Sequence, residues 1–390
     1  MLGLYAIALV PALIGVALYI FRKEVSWLEW LGCTAMAFAA SGIMHGIALW
    51  GMTDDIETWS GRVVQVAHHP AWVEEYRQRH SETYYTGSGK NRQSHTRTWY
   101  TTEHDHHPEH WMADKNYGTY SDDQEISQAE YARIKAELGN TVVDGGKQGT
   151  HHGGHHDGGD NSIYSTPNTT RYIHPVTTTK HFENRVKAAP TLFSFAKVPP
   201  GTPVFPYPSS PSWDRSGRLL GAAVGSVDLT AFDQMNSRLG PTKKVNVIIV
   251  GFPGGDSSIG HWQEALWIGG RKNDLVLCYG TAPGNPKPTW AYCFGWTEKT
   301  DVKRSLETIA ISSPVSTDML KAIEAEVSRN YVIKDWKKFD YISIDPPRWA
   351  YITLIILMVL VQGGWWLWAF NNQFSKDGNS NSRFRYGKGF

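Results

Sequence analysis

Cysteine is scarce, with three residues in 390. Cys33 sits inside an apolar run, so no disulfide framework is available and Cys278 with Cys293 is the one pair left to consider. Excess charge of either sign is missing too. Lys and Arg number 38 against 37 Asp and Glu, and a pI near 7.8 gives no electrostatic argument for nucleic acid or for an acidic substrate. The familiar catalytic signatures are also absent: there is no GxSxG, no HExxH and no metal-binding Cys–His pattern. The glycine pairs Gly254–Gly255 and Gly269–Gly270 do not replace them. GFPGGDSS lacks the Lys of a phosphate loop, and GGRKND closes a helix, where the dipole repels phosphate.

Long apolar runs are present. Gly3–Phe21, Leu28–Trp50 and Trp349–Phe370 each meet the length of roughly 20 residues that spans hydrocarbon as a helix. The third is flanked by Trp349 at one end and Trp365, Trp366 and Trp368 at the other, where indole rings favour the two interfaces. The first run has its basic residues, Arg22 and Lys23, after it, the reverse of a signal peptide. Cytoplasmic flanks collect Lys and Arg, so Arg22–Lys23 and the tail carrying Lys376, Arg383, Arg385 and Lys388 are expected on the cytoplasmic side. Three crossings then put the N-terminus and Gly51–Arg348 outside. The mirror arrangement stays open, because the first turn offers only two charges. Gly42 and Gly46, with Ala35 and Ala39, make a small-residue stripe suited to helix packing within the chain or to self-association. His45 lies near the outer end of the same run, as a functional intramembrane group or a merely hydrated one.

The outer region divides in two. Residues 54–198 are rich in Thr, Tyr, His and Gly, with strand-like pieces at Arg62–Val66, Glu82–Thr86 and Thr96–Thr102 and one helix, Ser127–Gly139, opened by a Ser127/Glu130 capping box. A Pro-rich connector, 199–216, leads to 217–341, where strands at Lys244–Val250, Asp274–Tyr279 and Trp290–Phe294 alternate with helices at Ser257–Ile268, Asp301–Ile309 and Ser316–Tyr331. Strands grouped with amphipathic helices predict a layered α/β sheet. Cys278 and Cys293 lie on its neighbouring strands, as a cross-hairpin disulfide or as two free core thiols.

Fourteen of the 16 histidines fall between His68 and His181. The tightest group is His104, His106, His107 and His110. Alternation on a strand sends His104 and His106 to one face, the spacing at which two imidazoles can share Zn²⁺ or Cu²⁺, with His110 or Glu109 returning after Pro108. His151, His152, His155 and His156 form a second, looser group in a glycine-rich loop. Solvated surface histidines, or a pH-sensing cluster, are the other readings of the same residues.

Two resemblances rest on these stretches. IHPVTTTKHFENRVKAAPTLFSFAKV (Ile173–Val198), GGRKNDLVLCYG and the layout of two crossings, outer region and final crossing resemble a group of membrane proteins from tailed bacteriophages and some bacteria. That likeness covers most of the chain and brings no activity with it. Several members of the group carry cysteines where this chain has Thr, Tyr and His, so no shared disulfide or thiolate metal site is carried over. From Lys244 to Val332, the order strand, helix ending in WIGGRKND, strand, strand, helix looks like the TPM-type domain, an extracytoplasmic module whose members include assembly factors, channel subunits and a few phosphatases.

The expectation is therefore a membrane-anchored α+β protein. Residues 1–53 hold two transmembrane helices, 54–198 a β-rich, His-rich subdomain, 217–341 a TPM-like α/β subdomain, 342–371 the third crossing and 372–390 a basic cytoplasmic tail. The bilayer and another protein are the expected partners, a homo-oligomer is open, and Zn²⁺ is the one cofactor to test. A membrane-tethered hydrolase or phosphatase is the enzymatic alternative.

Overall fold

The computed structural model describes residues 2–17, 20, 27–138, 162–165, 175–189, 193–209 and 217–372. The fold is mixed α+β, with nine α-helices and three sheets among the described residues. The elements in chain order are α1 (Leu2–Ala17), α2 (Trp27–Thr53), β1 (Asp54–His69), β2 (Trp72–Thr86), β3 (Gln93–His107), β4 (His110–Asn116), β5 (Ser121–Ile126), α3 (Gln128–Leu138), β6 (Ser162–Ser165), β7 (Pro175–Glu183), β8 (Leu219–Gly221), α4 (Ala223–Ser226), α5 (Leu229–Lys243), β9 (Asn246–Pro253), α6 (Ser258–Leu266), β10 (Asp274–Thr281), β11 (Pro288–Gly295), α7 (Asp301–Ser312), α8 (Thr317–Asn330) and α9 (Arg348–Asn372). They form two compact units. One holds residues 1–55, 181–195 and 336–390; the other holds 56–180 and 196–335. The two outer subdomains expected from composition thus belong to a single unit, while residues 181–195 group with the helices.

In the helical unit, Trp27–Thr53 and Arg348–Trp365 are long and apolar enough to cross a membrane. The expected third span, Gly3–Phe21, is a shorter apolar helix: α1 runs for 16 residues and contains Pro11, and Arg22 and Lys23 lie outside the described residues. At 1.5 Å per residue α1 covers ~24 Å against ~40 Å for α2. Leu4 and Ala8, Ala37, Met44 and Ala48, and Ala350, Leu354 and Met358 bury against one another. Alanine, leucine and methionine side chains thus line the inside of this bundle, and Leu13, Ile43 and Leu360 stand out from it, each about two-thirds exposed. The Cys33 thiol and the Gln362 amide meet within it. Short segments brace the bundle: Asn184 N–H donates to Thr53 O at 2.6 Å, Arg185 Nη1 donates to the carbonyls of Asp340 and Ile342 at 3.0 Å each, and Phe182 meets Trp336 edge-on.

In the other unit, one sheet has the order β5-β4-β1-β6, with β7 also pairing β1. Its face is covered by α3 through Tyr131 and Ile134, which bury on Val63, Val66, Ala113 and Val176. The capping box at the start of α3 is present, with Glu130 N–H donating to Ser127 Oγ at 3.2 Å. The second sheet has the order β11-β10-β9-β8, with β8, β9 and β10 parallel and β11 antiparallel. It is buried on both sides. Phe232, Met235 and Leu239 of α5, with residues of α7 and α8, cover Val247, Ile249, Leu275 and Leu277 on one face; Ile259 of α6, with Trp267, covers Ile248, Val250, Val276 and Cys278 on the other. Both crossovers advance the same way along the sheet from opposite faces. They are therefore of opposite hand, and one departs from the strong right-handed preference.

A buried polar network joins these two sheets. Arg218, 1% exposed, pairs with Asp233 at 3.5 Å and donates to Asn246 Oδ1 and to Ser60 Oγ of β1. Asn246 in turn donates to Asp274, whose other oxygen accepts from Tyr207 Oη at 2.7 Å and Arg271 N at 2.8 Å. Lys272 reaches Glu57 at 3.3 Å, and Asn273 Nδ2 reaches the Thr58 carbonyl at 2.6 Å. Gly118 lies against the Pro241 backbone and Gly240 against that of Ser60, with no room for a Cβ at either contact.

Candidate interaction surface

The feature with no packing explanation is the β2–β3 ribbon. Its strands pair antiparallel from Trp72↔His107 to Thr86↔Gln93 without a register break, 15 pairs in all, and form a sheet of their own. At ~3.4 Å per residue the ribbon is ~50 Å long. Thr and Tyr favour the extended backbone locally, and Gly87, at φ 89° where a Cβ would strike the Asn91 carbonyl, lets the tip reverse. Cross-strand contacts hold it: His80 stacks on Trp99 at 5.5 Å, Tyr84 on His95 at 5.5 Å, and Arg92 sits 4.1 Å over the Tyr85 ring.

Alternation places Trp99 and Tyr84 on one face and Tyr85 and Tyr100 on the other. All four are exposed, from 39% for Trp99 to 60% for Tyr100. A two-stranded ribbon standing alone is marginally stable in water, and exposed rings on both faces are the residue type that anchors protein interfaces. Five acids and five Lys or Arg lie between Trp72 and His107, so the surface carries no field of one sign.

The expected Zn²⁺ ligands are not gathered. His104 and His106 share a face, opposite Glu75 and Val73, as alternation requires; His107 lies on the other face, opposite Trp72. His110 belongs to β4, stacked on His69 at 4.6 Å with Nδ1 held by the Pro108 carbonyl at 3.1 Å. No group of three or more His, Cys, Asp or Glu side chains suited to a metal forms among the described residues. His151, His152, His155 and His156 lie outside those residues.

The Cys278–Cys293 disulfide does not form, and both thiols are free and buried. Register explains why: Cys293 lies opposite Leu277 and Cys278 opposite Tyr292, so a one-residue offset sends the two sulfurs to opposite faces. Burial pushes both thiols up from their ordinary value. Gly42 and Gly46 are not where helices touch most closely either. A Cβ on Gly42 would come no nearer than 3.9 Å to Tyr5 and one on Gly46 would meet nothing, whereas Gly3 abuts Tyr351 and Gly32 abuts Trp365. The buried face of α2 is Cys33, Ala37, Ser41, Met44 and Ala48, and Ala35 and Ala39 are exposed.

The α/β sheet has its charged network at the wrong end for a doubly wound catalytic site. Asn246 and Asp274 open β9 and β10, whereas ligands of such sheets bind beyond the carboxyl ends of the strands. Burial lowers Arg218 to about 10 and raises the Asp274 carboxyl. At the carboxyl ends, the Gly254–Gly255 turn accepts a bond from Trp290 Nε1 at 3.2 Å and the Tyr279 hydroxyl is raised by burial to about 12. Sequence reasoning missed the Arg218 network, because its members are ordinary residues far apart in the chain. Comparison with protein-family profiles, with curated proteins and with solved structures gave no match to this chain.

Proposed function

We propose that this chain is a non-enzymatic envelope protein, anchored by its apolar helices, that holds Gly51–Arg348 outside a bacterial inner membrane to bind another protein. The setting we propose for it is a tailed bacteriophage acting on its host. The observation that carries the reading is the ribbon: 15 uninterrupted pairs whose exposed aromatic rings serve no core. The helical unit supports the anchoring. Leu13, Ile43, Leu360 and other large apolar side chains face outward, which suits lipid and would be unfavourable in water. The cations at Arg22, Lys23 and in the tail after Phe370 support the orientation.

Photo-crosslinking in intact cells tests this. A photoreactive residue in place of Tyr85 or Tyr100 is expected to give a discrete adduct with another polypeptide, and the same residue in place of Lys321, exposed on α8, to give none. In the same cells, Thr98→Cys should react with a membrane-impermeant maleimide added to intact spheroplasts. Labelling only after lysis, or equal adducts from ribbon and α8, would overturn the reading.

A further inference from the structure

Where α2 runs directly into β1, the helical unit contains a cavity of about 390 Å³, inside the range of small-molecule sites. One wall is apolar, made by Gly46, Leu49 and Trp50; the other is charged, made by Asp54, His181, Glu183 and Arg185. Gly46 keeps the apolar wall open, since a Cβ there would meet nothing within 4 Å. Trp50, 68% exposed, stands beside it at the end of the apolar run, the level at which indole rings favour a membrane interface.

The charged wall carries groups of both signs, Asp54 and Glu183 with Arg185, and is built. His181 Nδ1 lies 2.9 Å from Asp54 Oδ1, and Arg185 Nε lies 2.9 Å from Glu183 Oε1. Arg185 Nη1 is held by the Asp340 and Ile342 carbonyls, which orients the guanidinium and leaves Nη2 unengaged among the described residues. The backbone carrying these groups is fixed as well: Asn184 bonds Thr53 O through its N–H and Asp55 through its amide, at 2.6 and 2.7 Å. A wholly anionic ligand would meet two carboxylates here and a wholly cationic one would meet Arg185. An amphiphile carrying both charges beside an acyl chain matches both walls.

We propose that this cavity seats one zwitterionic phospholipid of the bilayer, its ammonium group toward Asp54 and Glu183, its phosphate toward His181 and Arg185 Nη2, and an acyl chain along Gly46 and Leu49. The inference rests on the reading that α2 crosses a membrane. Gly46 thereby has a use that helix packing does not give it.

The test uses the full chain in nanodiscs of equimolar phosphatidylethanolamine and phosphatidylglycerol, with retained lipid counted by native mass spectrometry. Wild-type protein is expected to keep one phosphatidylethanolamine per chain. Gly46→Trp, which fills the apolar wall from an open position, and the double variant His181→Ala/Glu183→Gln are expected to lower its occupancy about tenfold, equivalent to ~1.4 kcal/mol, while Lys321→Ala retains it. Equal retention by all variants, or preferential retention of phosphatidylglycerol, overturns the lipid site. Alkaline carbonate extraction separates the two readings: protein that stays in the membrane without retained lipid sinks the site alone, and protein released by carbonate sinks the membrane anchoring and the site together.

Discussion

The β2–β3 ribbon and the β8–β11 sheet use the same backbone bonding to opposite ends. In the sheet, nearly every residue of β9 and β10 is buried and helices cover both faces. In the ribbon, residues 93–100 of β3 are exposed without a break, and the strands have only each other. Hydrogen bonding alone therefore does not set the stability of a β element here; apolar burial does, at ~25 cal/mol per Å². The sheet is well buried and offers little free surface, while the ribbon has free surface and little burial of its own. An element that binds by its faces has to be of the second kind.

The comparison can be broken most sharply by thiol chemistry. Cys278 and Cys293 are buried and their thiols are raised by burial, so alkylation requires opening of the sheet; a cysteine at exposed Thr98 requires none. With an opening free energy of ~5 kcal/mol, iodoacetamide should modify Thr98→Cys at least ~10³ times faster than either native thiol in the folded full chain. Comparable rates, followed by peptide mass spectrometry, would erase the distinction. A smaller effect is expected from Arg218→Ala, which leaves Asp233 buried without its cation and should cost about 3–5 kcal/mol in urea unfolding of the full chain in detergent. An unchanged midpoint would mean that the network does not join the two sheets. The least effect is expected from Trp99→Ala. Loss of its stack on His80 should cost about 0.2–1 kcal/mol, while crosslinking from a photoreactive residue in place of Tyr84, on the same face, falls severalfold. A large loss of stability there would show that the ribbon serves the fold rather than a partner.

Legibility followed the range of the interaction. The capping box of α3 was readable because Ser127 and Glu130 are three residues apart, and β9, β10, β11, α6, α7 and α8 were readable from periodicity. The helix α5 went unread although Asp228 caps it, accepting from Ala231 N–H at 3.1 Å, and Phe232, Met235 and Leu239 share a face. Gly240–Pro241 reads as a breaker, yet the close approach to Ser60 is what requires that glycine. The ribbon's strands were glimpsed only as fragments, because residues exposed on both faces show no alternation of polarity.

The candidate sites were less legible than the elements. That His104 and His106 share a face follows from alternation, but whether His107 and His110 join them depends on where β4 returns. The GxxxG spacing of Gly42 and Gly46 identifies a smooth helix face without saying what lies against it.

Local chemistry in the chain was enough to mark Leu28–Trp50 and Trp349–Phe370 as long apolar runs and Ser127 with Glu130 as a helix start, although it also marked Gly3–Phe21, where the described helix is shorter. Those properties act over a few neighbours, so one strand of text contains them. Tertiary structure alone decided that Cys278 and Cys293 face apart, that Arg218 is buried between two sheets, that Gly46 opens a cavity and that Tyr85 and Tyr100 remain uncovered. Each of these depends on register or burial against residues distant in the chain, and such contacts exist only once the backbone has closed on itself.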